Sequence, residues 1–502
     1  MSGKTVTAKK FLQPIDRLAL GVMLVVSLLI SILLLSGDHT SPRVRDFSWQ
    51  NKQVGAEDTA FILTFSRPMD HASVETNLQI NPPLPGKISW AGRRMAYTPH
   101  FPVPYGSQYQ VQLKGAKDQF PGIEGKGTLV EPFSSSFRTR DRAFAYIGVD
   151  GQEQGRLIVY NFTTQKKNIL TPVDIAVLDF KPYPKGDQIL FSASDRKSQE
   201  QGLLAAQLYT VTTGLSFQSP DQPEVSPEAV GKINLVLDSK DYQNLKFDLS
   251  ADGKMIVVQR VNRRNPADFG VWIVQQEAKP RPLGNQPGGD FLIAPDSSSL
   301  AIAQGQGVAI LPLKPAAKPL DFLPKFGMVL SFARDGSAAA MVKFNTDYTR
   351  SLFLVNNQGV EKELLRTTGS VLSCEFAPKN ETLYCLLTQL LQGEEYQEEP
   401  FLAAIDLKAK SDSKNSPVKP LVILPNQRDI QMSLSPDGLA LLFDQLVTRP
   451  PAATDNLRTN EGEAIATGVL WVLPLMNATA SPPSAQIKPE QLLPGFHPRW
   501  LP

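Results

Sequence analysis

The stretch Met432–Phe443, MSLSPDGLALLF, is one copy of a unit that recurs along most of the chain. Each copy enters through an apolar strand, turns at a cluster of Pro, Asp, Gly or Asn residues, and returns through a second apolar strand. The Asp-Gly or Asn turn supplies the positive-φ position that a tight hairpin needs. The other full copies begin at Leu178, Phe247, Phe291, Leu330 and Cys374, and a shortened copy, GFHPRWLP, begins at Gly495.

A second phrase of strand character lies between the copies, as in RLIVYNF from Arg156 and SLFLVNN from Ser351. Four strands in each unit of about 40–60 residues predict the blades of a β-propeller, which close into a ring because one blade cannot bury both of its faces. GFHPRWLP lacks a partner strand, and so does RAFAYIG from Arg142. Their pairing in one composite blade would remove two exposed edges. The prediction is an all-β fold with a seven-bladed propeller over 141–502, or six blades if one copy does not form a blade.

The SPDG-type turn phrase resembles the repeats of TolB-like and WD-like propellers, over residues 141–502. Because this phrase is a structural turn that occurs in proteins of many functions, the resemblance implies a fold and no particular activity.

Residues 41–140 show the period-two pattern of half-buried strands, as in Phe61–Phe65 and Tyr109–Leu113. About seven strands in this length, without an internal cysteine pair, suit a β-sandwich. The words LTFSRPMD, YTP, YGSQYQVQLKGAKD and FSSSFRTRD resemble the bacterial Ig-like domain of surface-layer and envelope proteins. This resemblance implies a spacer or adhesion module without catalysis.

The segment Leu18–Leu35 contains no charged residue. At 1.5 Å per residue it would span about 27 Å, close to the thickness of a bilayer core. Basic residues precede it, so the sequence predicts a membrane anchor over 18–36, a cytoplasmic tail over 1–17, and a periplasmic or lumenal location for the rest. The alternative is a cleaved secretory signal.

The composition excludes several classes of protein. Lys+Arg 51 against Asp+Glu 49 gives a net charge of +2, which does not suit a nucleic-acid-binding protein, and 42% hydrophobic residues do not suit a disordered one. The sequence has no G-x-S-x-G motif, no Gly-rich phosphate loop, and only scattered histidines. We therefore expect no catalytic residue, no metal site and no cofactor.

Long insertions follow the second strand of several repeats, at Asp195–Gly202, Val261–Asp268, Leu390–Pro400 and Val447–Ala464. Such loops lie on one rim of a propeller together with the connections between blades. They predict a docking face, although drift on a solvated edge would give the same pattern. The expected partner-binding residues are basic (Arg260, Arg263 and Arg264) or lie in the acidic insertion (Glu394, Glu395, Tyr396, Glu398 and Glu399).

Cys374 and Cys385 flank the turn of one predicted hairpin and are the only cysteines. If Phe376 pairs with Leu383, the two cysteines also pair. A disulfide and two buried thiols both suit these positions.

Together these observations predict a non-enzymatic, membrane-anchored extracytoplasmic scaffold. Its partners would be the lipid bilayer, through Leu18–Leu35, and a protein of the envelope or of a membrane complex, with no role for nucleic acid. The alternative function is an envelope receptor that binds a small ligand or glycan in the propeller channel.

Overall fold

The structure is a computed structural model. It describes residues 14–36, 41–121, 127–196, 205–215, 228–276, 278–284, 288–314, 320–393, 396–409, 417–427, 429–452, 455, 457–459, 462–475 and 488–502. These ranges are mostly β-strand, with helices α1 (Pro14–Ser36) and α2 (His71–Asn77) and one 3-10 turn (Gly151–Glu153).

Two four-stranded sheets pack face to face before residue 140. The first has the order β1 (Val44–Phe47), β3 (Phe61–Phe65), β6 (Arg94–Pro99) and β5 (Gly86–Ala91). The second has the order β2 (Gln53–Val54), β10 (Phe133–Thr139), β7 (Gln108–Leu113) and β4 (Leu78–Asn81), and a hairpin of β8 (Lys117–Pro121) and β9 (Gly127–Leu129) lies beside them. Alternate residues of β3 and β7 are buried in one shared core, as the period-two pattern predicts.

Seven further four-stranded sheets form the blades of a propeller within the described part of the chain. Blade 1 combines β11 (Ala143–Ile147), β12 (Leu157–Asn161) and β13 (Lys166–Ile169) with the last strand, β38 (Phe496–Trp500). Blade 2 consists of β14 (Ile175–Pro182), β15 (Gln188–Asp195), β16 (Gln207–Thr212) and β17 (Ile233–Leu237). Blade 3 consists of β18 (Tyr242–Leu249), β19 (Met255–Asn262), β20 (Phe269–Gln275) and β21 (Arg281–Pro282). Blade 4 consists of β22 (Phe291–Ile293), β23 (Ser299–Gln304), β24 (Gly307–Pro312) and β25 (Asp321–Leu323).

Blades 5 to 7 follow the same order. Blade 5 consists of β26 (Met328–Phe332), β27 (Ala338–Phe344), β28 (Arg350–Asn356) and β29 (Glu361–Thr367). Blade 6 consists of β30 (Val371–Phe376), β31 (Thr382–Leu390), β32 (Glu398–Asp406) and β33 (Val418–Ile423). Blade 7 consists of β34 (Met432–Leu434), β35 (Ala440–Arg449), β36 (Ala464–Pro474) and β37 (Glu490–Pro494). The first strand of each of blades 2 to 7, and β38 in blade 1, is the inner strand.

The ring is closed by packing between blades as well as by the pairing of β38 with β11. Each of the seven pairs of neighbouring blades shares a hydrophobic cluster, including the pair formed by blades 7 and 1. Strand β35 shows how one strand serves two interfaces. Leu441 and Phe443 pack toward blade 6, whereas Ala440 and Leu442 pack toward blade 1. The alternation of a strand buried on both faces therefore builds the whole ring.

One position of the repeat, the linking position, contacts the next blade in four of blades 2 to 7. It lies five residues before the positive-φ residue of the turn and is occupied, in blades 2 to 7, by Lys181, Asp248, Leu292, Ser331, Glu375 and Ser433. In blades 3, 6 and 7 its side-chain oxygen accepts a hydrogen bond from a backbone N–H of the next inner strand, at 2.8, 2.9 and 3.2 Å. In blade 2 the lysine pairs with the carboxylate of Asp248. In these four blades a polar group therefore connects neighbouring inner strands, whereas in blades 4 and 5 the position holds an apolar leucine and a serine hydroxyl without a partner in the described ranges.

The N-terminal helix α1 departs from the prediction. The structure contains, over its described ranges, no helix that is long and apolar enough to cross a membrane. The predicted anchor over 18–36 is therefore wrong, and so are the bilayer contact through Leu18–Leu35 and the single-pass topology derived from it.

The sandwich sits against one rim of the propeller, which we call the near rim. This rim carries the turns that join the first to the second strand and the third to the fourth strand of each blade. Asp437, in the first turn of blade 7, accepts hydrogen bonds from the backbone N–H of Tyr105 at 3.0 Å and from Arg142 at 2.6 Å. Lys379, in the equivalent turn of blade 6, lies 4.6 Å from the ring of Phe101. The opposite rim, which we call the far rim, carries the loops after the second strands and the connections between blades.

Candidate functional site

Arg260, one of the predicted docking residues, is not at the surface. It belongs to β19, is only 6% exposed, and its guanidinium lies 4.6 and 5.1 Å from the ring centres of Tyr242 and Trp272. Its Nε donates to Asn244 at 3.0 Å, and burial lowers its pKa. These contacts stabilise blade 3, so Arg260 is a packing residue and the docking role predicted for it is corrected.

Arg263 and Arg264 lie on the far rim and are exposed, in the loop between β19 and β20. Nε of Arg263 donates to the carbonyl of Ser239 at 2.7 Å, and the backbone N–H of Arg264 donates to Asn262 at 2.9 Å. The loop therefore presents two positive charges on a backbone that is held by hydrogen bonds.

The acidic insertion lies three blades away, on blade 6, so the structure does not bring the two charged loops together. Glu394 and Glu395 lie outside the described residues. Tyr396 is 70% exposed, whereas Glu398 and Glu399 begin β32 and are half-buried. Glu399 accepts a hydrogen bond from its cross-strand neighbour Gln389 at 2.8 Å.

A cavity of about 810 Å³ opens on the far rim beside this insertion. Its walls come from Arg350 of blade 5, from blade 6 and from the connection between blades 6 and 7. Blade 6 contributes the start of β30 around Leu372, the end of β31 and the start of β32. Tyr396 and Glu398, which the sequence analysis singled out, are part of the lining. The cavity has the size of a small-molecule site, but most of its lining side chains are polar.

Glu398 is the most firmly held group of the cavity. Its carboxylate accepts hydrogen bonds from Thr388 at 2.5 Å, from Ser370 at 3.2 Å and from the hydroxyl of Tyr396, and Arg350 lies 3.9 Å away. Burial acts to raise the pKa of Glu398, but the hydrogen bonds and Arg350 outweigh it and lower that pKa. The carboxylate is therefore ionised and fixed in place at neutral pH.

The connection between blades 6 and 7 supplies polar groups that the sequence analysis did not single out. Asn426 and Asp429 have φ values of 58° and 52°. Gln427 Oε1 accepts a hydrogen bond from the N–H of Leu446 at 2.9 Å. Within the described ranges, Asp429 and the side-chain amides of Asn426 and Gln431 have no hydrogen-bond partner. Asn and Asp are the residues that best tolerate positive φ, which is the only local signal that marked this segment.

Three titratable groups lie in blades 6, 7 and 1: Asp444 is buried, and Glu375 and His497 are half-buried. Asp444 accepts hydrogen bonds from the N–H groups of Gln431 and His497, both at 2.7 Å, and burial raises its pKa to about 7. Burial likewise raises the pKa of Glu375 to about 7 and lowers that of His497 to about 4. Nε of Arg499 donates to Nε2 of His497 at 3.2 Å, which requires the neutral ring.

Polar side chains of neighbouring inner strands also contact one another. The imidazole of His497 also lies 3.3 Å from Asp179, and Lys181 is paired with Asp248. Because these groups already have partners, the channel is less suited than the far-rim cavity to an added ligand.

Cys374 and Cys385 are paired in register across β30 and β31, and Phe376 is paired with Leu383. The two sulfur atoms are joined in a disulfide, and both residues are buried between blades 5 and 6. The neighbouring pair in the same register, Ser373 and Leu386, lines the cavity. The cross-link therefore lies directly behind one cavity wall.

Metal chemistry has no evident centre in the described part of the chain. No group of three or more His, Cys, Asp or Glu side chains is placed there to hold a metal ion.

Comparisons with known proteins return similarities of fold. Neither a known protein family nor a curated protein matches the chain. TolB from Acinetobacter baumannii is 10% identical, with a TM-score of 0.39 over 85% of this chain and 83% of that one. The putative TolB from Agrobacterium tumefaciens is 11% identical, with a TM-score of 0.36 over 57% and 90%. Oligogalacturonate lyase from Vibrio parahaemolyticus is 12% identical, with a TM-score of 0.41 over 66% and 90%. The chain is thus similar to TolB-like and to enzymatic propellers alike, and these distant similarities assign no function.

Proposed function

We propose that this protein is a non-enzymatic recognition protein, in which an Ig-like sandwich supports the propeller and the far rim binds a partner. The observation that carries this proposal is the position of the sandwich on the near rim, where Asp437 joins the two parts. The far rim, which carries the long loops and the cavity, is not covered by the sandwich contacts described above. A support on one side and a decorated face on the other suit presentation of a binding surface.

A protein is the favoured partner. The far rim carries a basic loop at Arg263 and Arg264 and an acidic loop at 390–400, three blades apart. Two charged patches of opposite sign, separated across a rigid disc, would fix the orientation of a partner with complementary patches. Because exposed charges act mainly on the rate of association, this recognition should weaken with salt.

A second candidate function is binding of a small ligand, and the cavity beside Tyr396 favours it. The site would lie between blades at the far rim, because Lys181 and His497 of the inner strands already have partners in Asp248, Asp179 and Arg499.

Charge reversal on each rim tests the proposed function. The double variant R263E/R264E changes the far rim, and K185E/K254E makes the same change in charge in two near-rim turns. A partner cross-linked to the unmodified full chain should be lost from the far-rim variant and retained by the near-rim variant. Equal capture by both variants would remove the far rim as the recognition face.

A further inference from the structure

The far-rim cavity has a lining that points to a ligand class. Its volume of about 810 Å³ is enough for two or three sugar rings or for a short peptide. The hydroxyls of Ser370, Thr388 and Tyr396 are already committed to Glu398. The groups that remain to bind a ligand include the side-chain amides, the carboxylate of Asp429 and the hydroxyl of Ser373.

Four amide side chains line the cavity: Gln397, Asn426, Gln427 and Gln431. Each amide offers a donor and an acceptor side by side, which matches a hydroxyl group that donates and accepts at once. Of the four, Gln427 uses its carbonyl oxygen to hold Leu446 and keeps its NH₂ group for other partners. An array of amides suits a ligand with many hydroxyl groups better than it suits a single charged group.

Two apolar surfaces complete the lining. The ring of Tyr396 is 70% exposed, while its hydroxyl is tied to Glu398, so the ring is held at the edge of the cavity. Leu372 is 48% exposed because a β-bulge at this point of β30 turns it out of the ladder. A pyranose ring has an apolar face of C–H groups as well as its hydroxyls, and these two side chains can pack against it.

The charge of the site selects among sugars. Among the described residues of the lining, the carboxylates of Glu398 and Asp429 accompany one cation, Arg350, which donates to the carbonyls of Thr368 and Gly369 at 3.1 and 3.3 Å. A negative environment of this kind repels carboxylated sugars.

We propose that this cavity binds a short oligosaccharide that is neutral or amino-substituted, and that it discriminates against uronic acids. The proposal rests on the far rim as the recognition face and deepens the second candidate function. The amides would bind the ring hydroxyls, Tyr396 and Leu372 would cover the apolar face of a ring, and Asp429 would accept a hydrogen bond from a hydroxyl or an amino group.

Binding of defined trisaccharides to the purified full chain tests the proposal. The probes are maltotriose, cellotriose, chitotriose (the de-acetylated amino sugar) and trigalacturonate, measured by calorimetry and by saturation-transfer NMR. The expected result is binding of at least one neutral or amino probe and at least tenfold weaker binding of trigalacturonate. No binding of any neutral or amino probe, or preferential binding of trigalacturonate, would overturn the proposal.

Variants of the exposed Asn426 and the half-buried Gln431 locate the site. N426A/Q431A should weaken binding by about tenfold or more, since two side-chain hydrogen bonds are lost. Q358A, which removes an exposed amide from a near-rim turn of blade 5, should leave binding unchanged. Equal binding by both variants would overturn the assignment of the cavity. A second result would also overturn it: saturable binding of a tri-lysine peptide that is abolished in N426A/Q431A and is not reduced by any of the sugars.

The outcome is separable from that of the proposed function. Loss of protein capture in R263E/R264E, together with no binding of any neutral or amino probe, would leave the far rim as a docking face and reject the sugar site. Sugar binding that N426A/Q431A weakens, with protein capture unaffected by R263E/R264E, would do the reverse.

Discussion

Replacement of Asp437 by alanine tests how the sandwich is held to the propeller, and the repeat supplies its own control. Asp437 and Asp252 occupy the same turn position in blades 7 and 3. In each turn, Oδ1 accepts a hydrogen bond from the serine hydroxyl two residues earlier, at 2.6 Å in both, and from the backbone N–H two residues later, at 3.1 and 3.0 Å. Only Asp437 uses its second oxygen, which accepts from the N–H of Tyr105 at 3.0 Å and from Arg142 at 2.6 Å.

The difference between D437A and D252A therefore isolates what the second oxygen of Asp437 holds: the sandwich at Tyr105, and Arg142 where the chain enters blade 1. A hydrogen bond to a charged group contributes about 1.5–3 kcal/mol. The side chain of Asp437 is fully buried, but that of Arg142 is 28% exposed, so water replaces part of what the arginine loses. Tyr105 is buried, and its N–H would be left without its acceptor. We expect D437A to weaken the contact by about 3 kcal/mol more than D252A.

Native-state hydrogen exchange of the Tyr105 amide measures this difference directly. A loss of about 3 kcal/mol corresponds to exchange that is about 100-fold faster, since 1.4 kcal/mol is a factor of ten. D437A should show this acceleration and D252A should not. Exchange at Tyr105 that is equally protected in the two variants would refute the reasoning, because it would mean that the second carboxylate oxygen of Asp437 does not hold the sandwich.

Two further predictions use the links between blades. S433A should lower the free energy of unfolding by about 1 kcal/mol, because the Ser433 hydroxyl accepts a hydrogen bond from the next inner strand. S331A should leave the free energy of unfolding unchanged or raise it, since the buried Ser331 hydroxyl has no partner in the described ranges. Equal losses of the two variants in urea denaturation would contradict this. Burial lowers the pKa of His497 to about 4, so the stability that its neutral form contributes is present above pH 6.5 and is lost as the pH falls to 4. In H497N the asparagine suits the φ of 53°. The difference in unfolding free energy between pH 4 and pH 6.5 should be about 3 kcal/mol smaller in this variant than in the unmodified protein. The raised pKa values of Asp444 and Glu375 change the unfolding free energy with pH in the opposite direction, but they do so in both proteins. If the two proteins showed the same difference in unfolding free energy between pH 4 and pH 6.5, His497 would not titrate as stated.

The sequence predicted the propeller where its structure depends on local patterns, but it did not predict the contacts of the linking position. The turn phrase, the period-two strands and the unpaired phrase at Gly495 are local patterns, and they predict the blades and the pairing of β38 with β11. The partner of each linking side chain lies on another blade, however, so the roles of Asp248, Glu375 and Ser433 emerge only when the inner strands stand side by side.

The candidate site was only half predictable for the same reason. The acidic insertion at Tyr396 and Glu398 stands out in the sequence because it is long and charged. The opposite wall, at Asn426 and Asp429, is a short connection whose composition is ordinary. Arg260 shows the converse error, because a basic residue beside an exposed loop reads as a surface charge until Tyr242 and Trp272 are seen on either side of it.

The sequence by itself determined the repeating strands, the turns between them and the closure of the ring, because alternation and positive-φ turns depend on residues close together in the chain. The length of the apolar N-terminal segment was also local, but it gave the wrong conclusion about a membrane anchor. Only the tertiary structure decided that Asp437 is buried against the sandwich while Asp252, in the same phrase, is exposed. The cavity, too, is formed by blades 5 and 6 and the connection to blade 7, since burial and partnership depend on residues that are distant in the chain and meet only in the closed ring.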